Sequence, residues 1–104
     1  EAGFVITCVG SIQQVALRLA DHPNTILYRR KYEIVSLTGT ISIDGAHLHL
    51  AIADNSGKVI GGHLQDGSLV YTTAELVIGV VDHLRFNREF DRQTGYKELV
   101  VRPR

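Results

Sequence analysis

The chain has 104 residues, the size of one domain, and its 11 basic residues balance its 11 acidic ones. That balance lacks the basic excess of a dedicated nucleic-acid module. The single cysteine, Cys8, excludes an intramolecular disulfide and fits a reducing compartment, and no apolar run approaches the roughly 18 residues of a membrane span. The expectation is a soluble, intracellular, cytoplasmic protein without a membrane partner.

A domain of this length buries roughly 60–70% of its unfolded surface. With no Trp or Met and 7% aromatic residues, the core rests on Val, Ile and Leu, a composition that favours strands. Zero net charge combined with exposed strand edges also predicts association.

Residues 4–9 read as a strand, punctuated by Gly10-Ser11. From residue 12 to 19 a helix and a strand both fit; the alternation of Val15, Leu17 and Leu19 with Ala16, Arg18 and Ala20 favours a strand. Asp21-His22-Pro23-Asn24 is a loop, and residues 32–43 form a long strand interrupted at Gly39. Asp44-Gly45 is a strong hairpin signal that would pair Ile43 with Ala46.

The segment that follows, residues 46–64, carries the densest chemical signal. Successive strand side chains point to opposite faces, so His47 and His49 share one face while Leu48, Leu50 and Ile52 share the other. Asp54-Asn55-Ser56-Gly57 is a turn with Gly57 at the left-handed position of a three-residue loop. This loop pairs Asp54 with Lys58 and hence His49 with His63; a two-residue loop would send His63 to the apolar face. Thr38, Thr40 and Ser42 fall beside the histidines, and Gly61 and Gly62 clear side-chain bulk next to His63. Three convergent imidazoles make a common site for a divalent transition metal, with neutral imidazole as the ligand form. The pattern therefore predicts a metal or small-anion site at His47, His49 and His63, set against a merely structural polar face.

Gln65-Asp66-Gly67 turns the chain into a strand over residues 68–80. Residues 84–90 and 96–101, joined by a turn at 91–95, read as a last hairpin with alternating charge. The count is about seven short strands with little room for helix, an antiparallel sheet that curls into a barrel-like shell.

The remaining residues carry weaker signals. Cys8 reads as a small buried hydrophobe rather than a nucleophile. Glu75, at the end of Tyr71-Thr72-Thr73-Ala74-Glu75, fits an imidazole-orienting group, a fourth ligand or a general base, and equally an ion pair. Arg29-Arg30-Lys31 reads as a solvated turn rather than a phosphate site, His22 and His83 as surface residues, and Ser11 as a loop hydroxyl.

The runs Tyr32-Glu33-Ile34-Val35-Ser36-Leu37-Thr38-Gly39-Thr40, His47-Leu48-His49-Leu50, Gly61-Gly62-His63-Leu64 and Val70-Tyr71-Thr72-Thr73-Ala74-Glu75 together resemble the plants-and-prokaryotes conserved domain. Cys8-Val9-Gly10-Ser11 and Thr94-Gly95-Tyr96-Lys97-Glu98-Leu99 extend the likeness over nearly the whole chain. The resemblance implies an α+β fold, an antiparallel sheet with a helix packed on it, assembled as a homotrimer. Members of that family carry a further strand and helix before the position of Glu1. The expected unit is thus a single such domain over residues 1–104 without that strand and helix. In plant relatives the domain follows AT-hook motifs in nuclear proteins, so a nuclear location is expected only within such a protein. The 104 residues contain no Arg-Gly-Arg-Pro AT-hook, and Arg102-Pro103-Arg104 resembles one only superficially, so minor-groove binding by that mechanism is not expected of them.

The expected function is a homotrimeric domain whose three histidines hold zinc, with Glu75, Thr38 and Thr40 as supporting residues and an open position for a small ligand. The alternative is a DNA-associated or transcription-related interaction module.

Overall fold

The computed structural model describes all 104 residues. Seven strands follow in chain order: β1 (Ala2–Arg18), β2 (Ile26–Ser42), β3 (Gly45–Ala53), β4 (Val59–Leu64), β5 (Leu69–Val80), β6 (Leu84–Phe90) and β7 (Lys97–Pro103). Every pairing is antiparallel, as expected for short connections between Val- and Ile-rich segments. No residue is helical, so the chain is all-β and the helix of the expected α+β class is not found in it.

Five strands form one sheet in the order β2-β3-β4-β1-β5, and β1 also pairs with β2, so the ladder β1-β2-β3-β4 closes on itself. Closure depends on the last residues of β1, where Leu17 faces Leu64 and Arg18 faces His63. Two hydrogen bonds continue that seam: the amide of Gln65 donates to the Ala16 carbonyl at 2.9 Å, and the Ala16 amide donates to Ser68 Oγ at 3.0 Å. Inside the shell lie Val15, Leu17, Leu37, Leu50 and Ile52, all buried. These are the apolar members of the alternating pattern, which explains why the opposite, polar members face outward.

Strand β1 runs unbroken through Gly10-Ser11, because the irregularity there is absorbed as a bulge. Its register shifts between Gly10 and Ile12 against β5 and between Ile12 and Gln14 against both neighbours. Ser11 is buried, and its hydroxyl accepts a hydrogen bond from the Thr72 amide at 3.1 Å, a ladder bond taken over by a side chain. The loop hydroxyl of the sequence reading is therefore a mid-strand residue.

The first hairpin also differs from expectation. Ile43 and Asp44 form the loop, and Ile41, not Ile43, lies opposite Ala46. A type I′ turn centred on Asp44-Gly45 would need positive φ at both, but Asp21 is the one non-glycine residue with positive φ, while Gly45 has φ 119°. The register has moved by two residues, which preserves every side chain's face.

Strands β6 and β7 make a separate two-stranded sheet. It is fastened to the shell by Asp44, whose carboxylate accepts from the Arg88 amide at 2.9 Å and from Asn87 Nδ2 at 3.2 Å. At the other end the Glu1 carboxylate lies 3.2 Å from Arg104 and 3.7 Å from Arg85.

Only 13 of the 104 residues are buried, and large apolar side chains along β1 and β5, including Ile6, Val9, Val77 and Ile78, stay exposed. Val77 and Ile78 are consecutive on β5 and point to opposite sides of the sheet, so apolar side chains are left exposed on both of its faces.

Candidate metal centre

Four strands bring one row of side chains together on the outer face of the shell. Arg18 on β1 lies opposite His63 on β4, His63 opposite His49 on β3, and His49 opposite Thr38 on β2. His47 stands two residues from His49 on the same face, opposite Thr40. The β3–β4 register is the one the turn predicts: the Asp54 amide donates to the Lys58 carbonyl at 3.0 Å, and Gly57 has φ 82°. Asp54 Oδ1 tightens that loop by accepting from the Ser56 amide, the Ser56 hydroxyl and the Lys58 amide at 2.9, 2.8 and 3.0 Å.

The three rings converge. Centroids are 4.7 Å apart for His47 and His63, 5.3 Å for His47 and His49, and 5.6 Å for His49 and His63. One ring nitrogen from each lies within 4.8 Å of the others. Nitrogens around a tetrahedral zinc stand about 3.3 Å apart, so small rotations of χ1 and χ2 close the set onto one ion. None of the three imidazoles is committed to a hydrogen bond within the protein, which leaves their lone pairs available. The residues fit a borderline-soft divalent metal.

Electrostatics favour the neutral ligand form. Burial lowers the pKa of His47, and the charges of Arg88, His49 and Arg18 lower it further, against an opposing pull from Glu98. Burial likewise lowers that of His63, with His47, Arg18, His49 and Arg88 acting in the same direction. A neutral imidazole is the form that donates a lone pair to a metal.

Clefts open on either side of the rings. One is lined by Arg18, Asp21, Ser36, Thr38, His49 and His63, the other by Thr38, Thr40, His47, His49, Arg88 and Glu98. The threonines thus border the site, although neither hydroxyl bonds an imidazole. Glu75 is not brought to the histidines; it lies opposite Val9 in the β1–β5 ladder and lines a third cleft with Lys31, Tyr71 and Thr72. Cys8 is buried, with its thiol pKa raised by burial and by the charge of Glu75, as befits a core residue. Lys31 of the basic cluster stacks on the Tyr71 ring at 4.4 Å, and Arg30 pairs with Asp54 at 3.4 Å.

Three site-bordering residues escape the sequence reading. Arg18 left one trace, a charge between Leu17 and Leu19, but its pairing with His63 joins residues far apart in the chain. Arg88 and Glu98 left none, because only the docking of β6 and β7 carries them to His47.

The Plants and Prokaryotes Conserved (PCC) domain model matches residues 1–82. The chain belongs to that family. The match spans the whole five-stranded sheet, the three histidines included, and ends before β6. A curated relative, the bifunctional protein GlmU of a Synechococcus strain, is 48% identical over 103 residues, which cover 99% of this chain and 16% of the relative. The chain therefore spans about a sixth of the length of the curated relatives it matches. Among solved structures, a hypothetical protein from Salmonella cholerae-suis superposes with a TM-score of 0.96 at 42% identity, over 99% of this chain and 75% of that one. That overlap takes in β6 and β7 as well as the five-stranded sheet. Two more distant structures, each 23% identical, share the fold. One is a metal-containing protein from Archaeoglobus fulgidus, with a TM-score of 0.73 over 96% of this chain and 74% of that one. The other is a provisionally named DNA-binding protein from Bacteroides thetaiotaomicron, with a TM-score of 0.78 over 95% and 72%.

Proposed function

We propose that this PCC domain is a metal-binding module in which His47, His49 and His63 hold zinc and leave one coordination position open. The observation that carries the reading is the convergence of three uncommitted imidazoles, with donor atoms within 4.8 Å of one another. A metal held by three neutral histidines acts as a Lewis acid toward water or a small ligand at its open position. Thr38 and Thr40 line the clefts beside the rings and would supply hydroxyls to such a ligand, and Arg18 and Arg88 would supply positive charge. The metal-containing relative from Archaeoglobus fulgidus lends the reading support at the level of the fold.

The unit of function in this reading is a homotrimer. Its support is the set of large apolar side chains left exposed along β1 and β5, which association would withdraw from water at about 25 cal/mol per Å2.

Elemental analysis of protein purified without a histidine tag tests the metal. The expected result is about one equivalent of zinc per chain, lost in His63→Ala; less than about a tenth of an equivalent overturns the reading. The alternative, a DNA-associated or transcription-related interaction module, takes its support from the Bacteroides relative's provisional name. Binding of duplex DNA that weakens linearly with the logarithm of salt concentration would favour it over the metal reading.

A further inference from the structure

Arg18 is an arginine without a protein partner at the edge of the histidine row. It is half-buried, yet no carboxylate lies within 4.0 Å of it and its guanidinium makes no hydrogen bond to the protein. Every other arginine except Arg92, on an exposed turn, is held by a side chain or a carbonyl. Withdrawing a charge from water without pairing it is costly, so a half-buried free guanidinium is a group positioned for an anion.

Its surroundings define the ligand. Arg18 lines a cleft of about 450 Å3 together with His49 and His63, at the small end of the range for ligand pockets. Ser36 and Thr38 present hydroxyls in the same cleft. Asp21 also borders it, without reaching ion-pair distance of Arg18. The guanidinium's planar fork matches the two oxygens of a carboxylate or a phosphoryl group. A divalent ion on the three imidazoles would add two positive charges to those of Arg18 and Arg88, and the carboxylates of Asp21 and Glu98 offset the four only in part.

We infer that this cleft binds a small oxyanion, one oxygen of which fills the open position of the metal while another engages the guanidinium of Arg18. The inference rests on the metal reading above. It assigns Arg18 as the residue that selects anionic over neutral ligands at that metal.

Cobalt(II)-loaded protein provides the test, because the visible bands of cobalt report what occupies its open position. Sodium acetate and inorganic phosphate are titrated separately into wild type, Arg18→Lys and Arg18→Gln. A saturable change in the wild-type bands is expected with at least one anion. Affinity should fall about tenfold in Arg18→Gln at unchanged cobalt stoichiometry, with Arg18→Lys in between because it keeps the charge and loses the fork. The tighter anion identifies the ligand as a carboxylate or a phosphoryl compound. Wild-type affinity in Arg18→Gln, or bands indifferent to both anions, overturns the inference and leaves the metal site standing. Should Arg18→Gln fail to fold, equal affinity in wild type and Arg18→Lys overturns it instead. Failure of wild type to take up cobalt is a separate outcome and overturns the metal reading together with this one.

Discussion

His49 lies directly opposite His63 across the β3–β4 ladder, and the turn that sets this pairing is tied by Asp54, whose carboxylate accepts three hydrogen bonds within it. Side chains alternate faces along a strand, so the site exists only while the loop keeps its length.

Deleting Ser56 therefore tests the register. A shorter loop slips β4 by one residue and carries His63 to the apolar face, and losing a ligand is expected to weaken zinc binding by at least about a hundredfold. Isothermal titration of the variant against wild type measures it. Undiminished affinity would mean that the turn does not set the site.

Gly62 lies on β4 against the end of β1. A Cβ there would stand 2.9 Å from the Arg18 carbonyl oxygen, in a seam of two residue pairs. Because backbone cannot give way as a flexible side chain can, Gly62→Ala is expected to lower stability by about 1–3 kcal/mol and to displace His63 from Arg18. Urea denaturation gives the first effect. A variant as stable as wild type would show that the seam is loose.

Asp44 fastens β6 to the shell, and the hydrogen bond from the Arg88 amide is the main cause of its lowered pKa. In Asp44→Ala the Arg88 amide is expected to exchange its hydrogen faster while amides of β3 keep their protection. Hydrogen exchange followed by NMR separates the two strands. Equal protection of Arg88 in variant and wild type would remove Asp44 as the fastener.

The lowered pKa values of His47 and His63 fix the sign of a pH effect in metal-free protein. In the unfolded chain these two imidazoles take up protons at about pH 6.5, in the folded chain only at lower pH. Stability is thus full above about pH 6.5 and declines as pH falls through the lowered folded values. The denaturation midpoint should drop as pH falls below about 6.5, and drop less in a His47→Gln, His63→Gln double variant; carboxylates enter the balance only below about pH 4.5. A midpoint that is flat or rises on acidification contradicts the assignment.

What the sequence determined by itself was local. Alternation placed His47 and His49 on one face, and the Asp54-Asn55-Ser56-Gly57 turn placed His63 opposite His49, because strand period and turn geometry act over a few residues. Even the misplaced Asp44-Gly45 turn did no harm to the faces, since a shift of two residues conserves parity. The tertiary structure decided what depends on distant segments meeting. Closure of β1 on β4 sets Arg18 beside His63; docking of β6 and β7 onto Asp44 sets Arg88 and Glu98 beside His47; and pairing of β1 with β5 carries Glu75 to another cleft. Such contacts follow from how the whole shell buries Leu17, Leu50 and Ile52, a sum over the chain that no local pattern encodes.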